Sequence, residues 1–153
     1  MKVLATNKKA FFNFEILEKF EAGIFLTGQE VKTIKNAGVS LVGTYVVPKK
    51  NKKGRVEFFW VGANIPPYQP ENAVLFNPQR ERKILLRKKE INYLLGKTKE
   101  KGLTLIPLRL YNKKGWLKLE IGLAKGRKKV EKKELLKKRA IEKEIERTLK
   151  EKR

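Results

Sequence analysis

The sequence predicts a mainly β protein: a small antiparallel barrel of six strands, two short helices and a basic C-terminal tail. Three observations carry that expectation. Apolar and polar residues alternate with period two in most segments before residue 125, the signature of strands with one buried and one wet face. Only two segments in that region switch to helical spacing. Six short strands leave exposed edges unless the sheet closes on itself. An open sheet with helices on one face satisfies the same alternation. The expected division is a barrel over residues 1–124 and a tail over 125–153.

In chain order, Thr6-Asn7-Lys8-Lys9 is a short polar stretch ahead of an aromatic run. Phe12, Phe14 and Ile16 alternate with Asn13 and Glu15, and Ala22 to Leu26 reads as the partner strand after a bend near Lys19 to Glu21. Phe11, Phe12 and Phe14 serve either as core or as a stacking platform for unpaired bases, and the need of a small domain for buried rings favours core. Thr27 and Glu30 have capping-box spacing, Val31 and Ile34 give an apolar face, and Gly38 closes the first helix. Leu41 with Tyr45 to Val47, and Val56 to Val61, read as strands joined by a basic loop from Pro48 to Arg55. Residues 65–78 hold four prolines and predict a surface crossing. Ile84 to Leu86 is a short strand or a helix lead-in, and Lys88 to Lys101 is the second helix, stopped by Gly102.

Ile106, Leu108 and Leu110 then alternate with Pro107, Arg109 and Tyr111, and Leu117 to Leu123 alternate with Trp116, Lys118, Glu120 and Gly122. Asn112-Lys113-Lys114-Gly115 between them predicts a hairpin. Its outer face is expected to carry Arg109, Tyr111, Trp116 and Lys118, cations beside rings, which suits phosphates and unstacked bases. The tail from Lys125 holds fourteen Lys/Arg against six Glu, with Leu136, Ala140, Ile141, Ile145 and Leu149 read as a helical stripe. Cation repulsion and costly nucleation predict a tail largely disordered alone and helical on its partner; a solvated helix docked on the barrel is the other reading.

The formal charge of +22 over 153 residues far exceeds the magnitude of about 2 to 8 that solubility asks of a small domain. Such self-repulsion implies a polyanionic partner, nucleic acid ahead of lipid headgroups. No apolar run approaches the ~18 residues of a spanning helix and no signal peptide is recognisable, so a cytoplasmic location without membrane attachment is expected. The chain has no Cys and no His, and its sixteen acids are interspersed with cations rather than isolated in apolar settings. Neither a catalytic centre nor a metal or other cofactor is expected, and the free protein is expected to be a monomer.

Longer motifs add to this reading. Phe20-Glu21-Ala22-Gly23-Ile24-Phe25-Leu26-Thr27-Gly28-Gln29-Glu30-Val31-Lys32, Ser40-Leu41 with Tyr45-Val46, Asn64-Ile65 with Pro67-Tyr68, Arg82-Lys83-Ile84-Leu85-Leu86, Gly102-Leu103-Thr104-Leu105-Ile106-Pro107-Leu108 and Gly122-Leu123-Ala124-Lys125-Gly126 closely resemble the SsrA-binding protein (small protein B, SmpB) family. The resemblance spans almost the whole chain in order. It implies an oligonucleotide-binding (OB-like) barrel with added helices and a role in trans-translation. There the protein binds transfer-messenger RNA (tmRNA, SsrA RNA), delivers it to a stalled ribosome and stands in for the missing anticodon arm. The tail would enter the decoding centre and mRNA channel against small-subunit rRNA. A general single-stranded RNA-binding or ribosomal OB-fold protein is the alternative.

The resemblance implies RNA contacts at Asn7, Glu21, Leu85 and Lys118, of which alternation independently sends Lys118 outward. Lys8, Lys9, Lys83, Tyr111, Trp116 and Lys125 complete the candidate set on the barrel. Arg127, Lys128, Lys129, Lys132, Lys133, Lys137, Lys138 and Arg139 are the expected ribosome-binding cations of the tail. Two departures from the family pattern stand out. Phe76-Asn77-Pro78 replaces a common His-Asp-Pro, and Val130-Glu131-Lys132-Lys133 replaces an aromatic or His followed by Asp-Lys-Arg. The second loses a ring and an Arg fork.

Overall fold

A computed structural model describes residues 1–69 and 77–151. In chain order the elements are β1 (Lys2–Thr6), α1 (Lys8–Asn13), β2 (Phe14–Ile24), α2 (Gly28–Ala37), β3 (Tyr45–Lys50), β4 (Val56–Val61), β5 (Arg82–Leu85), α3 (Lys88–Thr98), β6 (Leu103–Lys113), β7 (Trp116–Gly126) and α4 (Lys129–Glu151). All pairings are antiparallel. The strands run β6-β3-β4-β5-β2-β7, and β7 pairs again with β6, which closes a six-stranded ring; β1 adds a seventh strand on β6. The mainly antiparallel β architecture expected from the alternation is present.

Its membership differs from the expectation in ways the residues explain. The chain from Phe14 to Ile24 is one strand, not two joined by a bend at Lys19 to Glu21, because Phe20 keeps the apolar phase of Ala22 and Ile24. A β-bulge between Ile16 and Glu18 supplies the bend instead. Phe11 and Phe12 lie on α1 rather than in a strand. Asn7 caps that helix by accepting a 3.2 Å bond from the Ala10 N–H. Leu41 sits before a turn, β3 continues to Lys50, and the basic loop shrinks to residues 51–55. Ile84 and Leu85 belong to β5, which restores the count of six in the ring. With α1 and α4 the helices number four among the described residues.

The barrel interior is filled by Val46, Phe58, Trp60, Ile84, Leu105, Leu110, Leu119, Ile121 and Leu123, with Ile34 of α2 and Leu94 of α3 completing the same core. A second, smaller cluster joins Ala10 of α1 to Ile106, Leu108 and Ala124, with Phe11, Phe14 and Ile16 packed against it. This resolves Phe11 and Phe14 as packing residues. Gly122 makes the seat for that cluster, since a Cβ there would lie 2.8 Å from Leu108 Cδ1 and 3.2 Å from Ile16 Cγ2. Gly122→Val is expected to destabilise the fold by about 1–3 kcal/mol through overpacking, read as a lowered thermal midpoint.

The capping box of α2 does a second task. The Glu30 carboxylate accepts the Thr27 N–H at 2.9 Å and also meets the Arg82 Nε at 2.7 Å and the Arg80 guanidinium. Both Glu30 and Arg82 are completely buried. Arg82 spends its remaining donors on the carbonyls of Ala63 and Pro78, each at 2.8 Å. One buried ion pair thereby ties α2 to β5 and to the crossing segment at Pro78.

Candidate nucleic-acid interface

The outer wall of the barrel is assembled by register. Gly23 of β2 pairs with Leu85 of β5 on one side and Lys118 of β7 on the other. Side chains directly opposite in an antiparallel pair share a face, so Leu85 and Lys118 stand on either side of a residue with no side chain. A Cβ on Gly23 would come within 3.3 Å of Leu85 Cβ. Glu21, two residues along β2, points the same way. An open groove results, lined by Glu21, Gly23, Leu85, Leu86, Arg87, Glu90 and Lys118. Leu85 is 47% exposed, a large apolar side chain offered to solvent rather than core.

Glu21 lies opposite Glu120 across the β2–β7 pair, a like-charge arrangement that needs compensation. Arg109 Nη1 meets Glu120 at 3.3 Å, and Lys113 Nζ meets Glu21 at 3.3 Å. The Tyr111 hydroxyl also donates to Glu21. That hydrogen bond, with Lys113 and Lys118, holds the Glu21 carboxyl below its ordinary value despite partial desolvation. Burial and the same bond push the Tyr111 phenol up. Glu21 is therefore an ionised acceptor at neutral pH, with cations around it and lone pairs free for base amino groups or 2′-hydroxyls.

Two candidates are almost fully buried. Tyr111 shares the outward face with its partner Lys118 but is only 4% exposed, and its hydroxyl is engaged by Glu21; it braces the groove and offers no ring for stacking. Asn7 is 3% exposed and its amide is fully occupied, donating to the carbonyls of Leu41 at 3.2 Å and Pro107 at 3.0 Å. It pins α1 to the barrel. Lys8 and Lys9 are exposed on that helix. Lys9 borders a separate cleft with Asn13, Val42 and Tyr45. Lys83 is half-buried and bonds Glu57 at 2.6 Å. Trp116, 73% exposed, starts β7 two residues before Lys118 and so shares its face.

Lys125 is exposed at the far end of β7, seven residues from Lys118, or about 23 Å along the strand. Beyond it the Arg127 N–H donates to the Asn13 carbonyl at 2.9 Å, and Lys128 precedes α4. The 23 residues of α4 extend about 34 Å. Lys133, Lys137, Lys138 and Arg139 are exposed, Lys132 is half-buried, and the side chain of Lys129 lies outside the described residues, as does Phe76. Arg139 sits over the Phe12 ring at 5.8 Å, which turns one helix face toward α1. Ile141, Ile145 and Leu149 form an exposed stripe, but Leu136 does not join it: nine residues at about 100° each place it opposite Ile145. The arm is neither part of the barrel core nor an irregular coil.

The groove residues that sequence reasoning missed are Gly23, Leu86, Arg87 and Glu90. Gly23 was out of reach, because only the β2–β5 and β2–β7 registers reveal it as the shared neighbour of Leu85 and Lys118. Arg87 and Glu90 read as ordinary helix-start residues, and locally they are, since the Arg87 N–H donates to Glu90 Oε1 at 3.0 Å.

Comparison with known proteins decides the family. The model of the SmpB protein family matches residues 4–151. The chain belongs to the SmpB family. Its SmpB relatives include the SsrA-binding protein of a Sulfurihydrogenibium species, 48% identical over 97% of this chain and 95% of that protein. The SsrA-binding protein of a Nitratiruptor species is 51% identical over 99% of each. A solved chain from "tmRNA-SmpB: a journey to the center of the bacterial ribosome" is 39% identical, with a TM-score of 0.64, covering 84% of this chain and 87% of that one. The described residues that differ from the motifs the resemblance leads one to expect, Asn77, Val130, Glu131 and Lys133, are all exposed. Val130 is exposed near the start of α4, and Asn77 opens a turn ahead of β5, its side-chain oxygen accepting the Gln79 N–H at 3.0 Å. Among the described residues no helix is long and apolar enough to cross a membrane.

Proposed function

We propose that this SmpB family member is an RNA-binding adaptor of trans-translation. It holds the tRNA-like part of tmRNA in the Glu21, Leu85 and Lys118 groove and delivers it to stalled ribosomes. The observation that carries this reading is the convergence of those three side chains, far apart in sequence, around Gly23. Their chemistry suits folded RNA. Lys118 meets a phosphate, Leu85 packs against a sugar or base, and Glu21 accepts from an amino edge or 2′-hydroxyl. The groove and the root of the arm stand at opposite ends of β7, so the barrel can keep tmRNA while α4 reaches rRNA. The arm, standing where an anticodon arm is missing, enters the decoding centre and mRNA channel through its basic proximal part, from Lys125 to Arg139.

Competition binding tests this. The tRNA-like domain of tmRNA is expected to outcompete bulk tRNA and oligo-U, with the preference preserved when salt is raised. Length-dependent affinity for homopolymers without that preference would instead make the protein a general single-strand binder. Lys118→Glu is expected to weaken binding about tenfold and to reduce the salt slope by about one phosphate contact.

A further inference from the structure

The tip of the β3–β4 hairpin is organised more tightly than a solvated loop requires. Asn51 Oδ1 accepts the N–H groups of Lys53 at 2.9 Å and Arg55 at 3.0 Å, while its amide donates to Glu57 Oε1 at 2.7 Å. The Asn51 N–H donates to the Arg55 carbonyl at 2.8 Å, and the Gly54 N–H to the Asn51 carbonyl at 3.0 Å. Gly54 takes φ of +79°, closing the turn. This frame holds Lys52, Lys53 and Arg55 together, all exposed, with Lys50 beside them. No acidic residue lies between Lys49 and Val56. The nearby carboxylates are occupied, Glu57 by Lys83 and Glu81 by Lys49, and among the described residues Lys50, Lys52, Lys53 and Arg55 form no ion pair. Across a groove floored by Pro48, Val56 and Leu95 stands a further cation, Lys99, which caps the C-terminal end of α3.

Fixing like charges in one rigid turn costs stability unless an anion arrives to use them. We propose that this tip is a second phosphate-binding element, which grips the backbone of the same RNA that occupies the Glu21, Leu85 and Lys118 groove. The inference rests on the RNA-adaptor reading and adds a contact to it. Continuity of register supports the shared partner. The groove wall at β5 adjoins β4 through the Ile84–Phe58 pair, and Glu57 next to Phe58 pairs with Lys49 at the base of the tip. From β7 to β4 is three strand spacings, about 14 Å. The tip has cations and no exposed ring, so it reads charge and not sequence.

The test measures binding of the full-length protein to the tRNA-like domain of tmRNA across a salt series. The combined substitution Lys52→Gln, Lys53→Gln and Arg55→Gln is expected to weaken binding at least tenfold and to make the log–log salt slope shallower by about 2, with an unchanged or higher thermal midpoint. Asn51→Ala keeps every charge but frees the turn; it is expected to weaken binding severalfold. Affinity within twofold of the parent and an unchanged slope for the triple variant would overturn the inference. So would a loss seen only on ribosome engagement, with binding to isolated tmRNA intact. If Lys118→Glu still weakens binding in that case, the groove reading stands and only the tip falls. If the parent protein shows no preference for the tRNA-like RNA, the adaptor reading itself fails.

Discussion

Truncation after Lys128 is expected to abolish tagging on stalled ribosomes while leaving affinity for tmRNA within about threefold of the parent. The truncation spares the fold: β7 ends at Gly126, and the Arg127 N–H that bonds Asn13 is retained. What is lost is α4, almost wholly exposed from Lys133 to Lys150 and in contact with the body through α1, where Arg139 lies over Phe12. An exposed cation–π contact contributes only about 0.5–1 kcal/mol, so the thermal midpoint should scarcely move. Paired assays of RNA binding by titration and of tagging in a purified translation system check the split. Loss of both together would mean that the arm helps to hold tmRNA.

The second large effect concerns stability. Arg82→Met or Glu30→Leu is expected to destabilise the protein by about 3–5 kcal/mol, because Glu30→Leu leaves the Arg82 guanidinium buried with no carboxylate and Arg82→Met leaves the buried Glu30 carboxylate with only the partly exposed Arg80 as a cation. Against a total of about 5–15 kcal/mol, that is enough to unfold a substantial fraction of molecules. The combination Glu30→Leu with Arg82→Leu should cost less than the sum of its parts, since no uncompensated charge pair remains in the core. Burial alone would push the Glu30 carboxyl up, but the Thr27 N–H with Arg80 and Arg82 outweighs it and holds the group below its ordinary value. A depressed folded value stabilises above the unfolded carboxylate range, about 4.3, and that contribution is lost as pH falls through the folded value. Urea midpoints measured through the acid range should therefore fall steeply for the parent and less for Glu30→Gln.

Elements whose pattern is local were legible in the sequence. The α2 capping box, the β6–β7 hairpin and the outward placement of Trp116 and Lys118 all follow from spacing within a dozen residues. Features set by distant partners were not. Phe12 and Phe14 mimic strand alternation, and only the cap formed by Asn7 with Ala10 shows that a helix comes first. Tyr111 keeps its outward phase but is closed over by Glu21, ninety residues away. Arg82 reads as one more surface cation in a basic run, yet it is buried because Glu30 and two carbonyls supply all its partners. The groove is legible residue by residue through family resemblance, whereas its shape depends on Gly23, which becomes informative only once the register is known.

Lysine-reactivity footprinting addresses the division of labour between barrel and arm most directly, since both carry lysines and the two partners can be added in turn. The tRNA-like domain of tmRNA alone should protect Lys118 from acetylation and leave Lys137 and Lys138 reactive, with the latter protected only when stalled ribosomes are added. A Lys118 that remains fully reactive with tmRNA bound, or arm lysines protected by tmRNA alone, would contradict it.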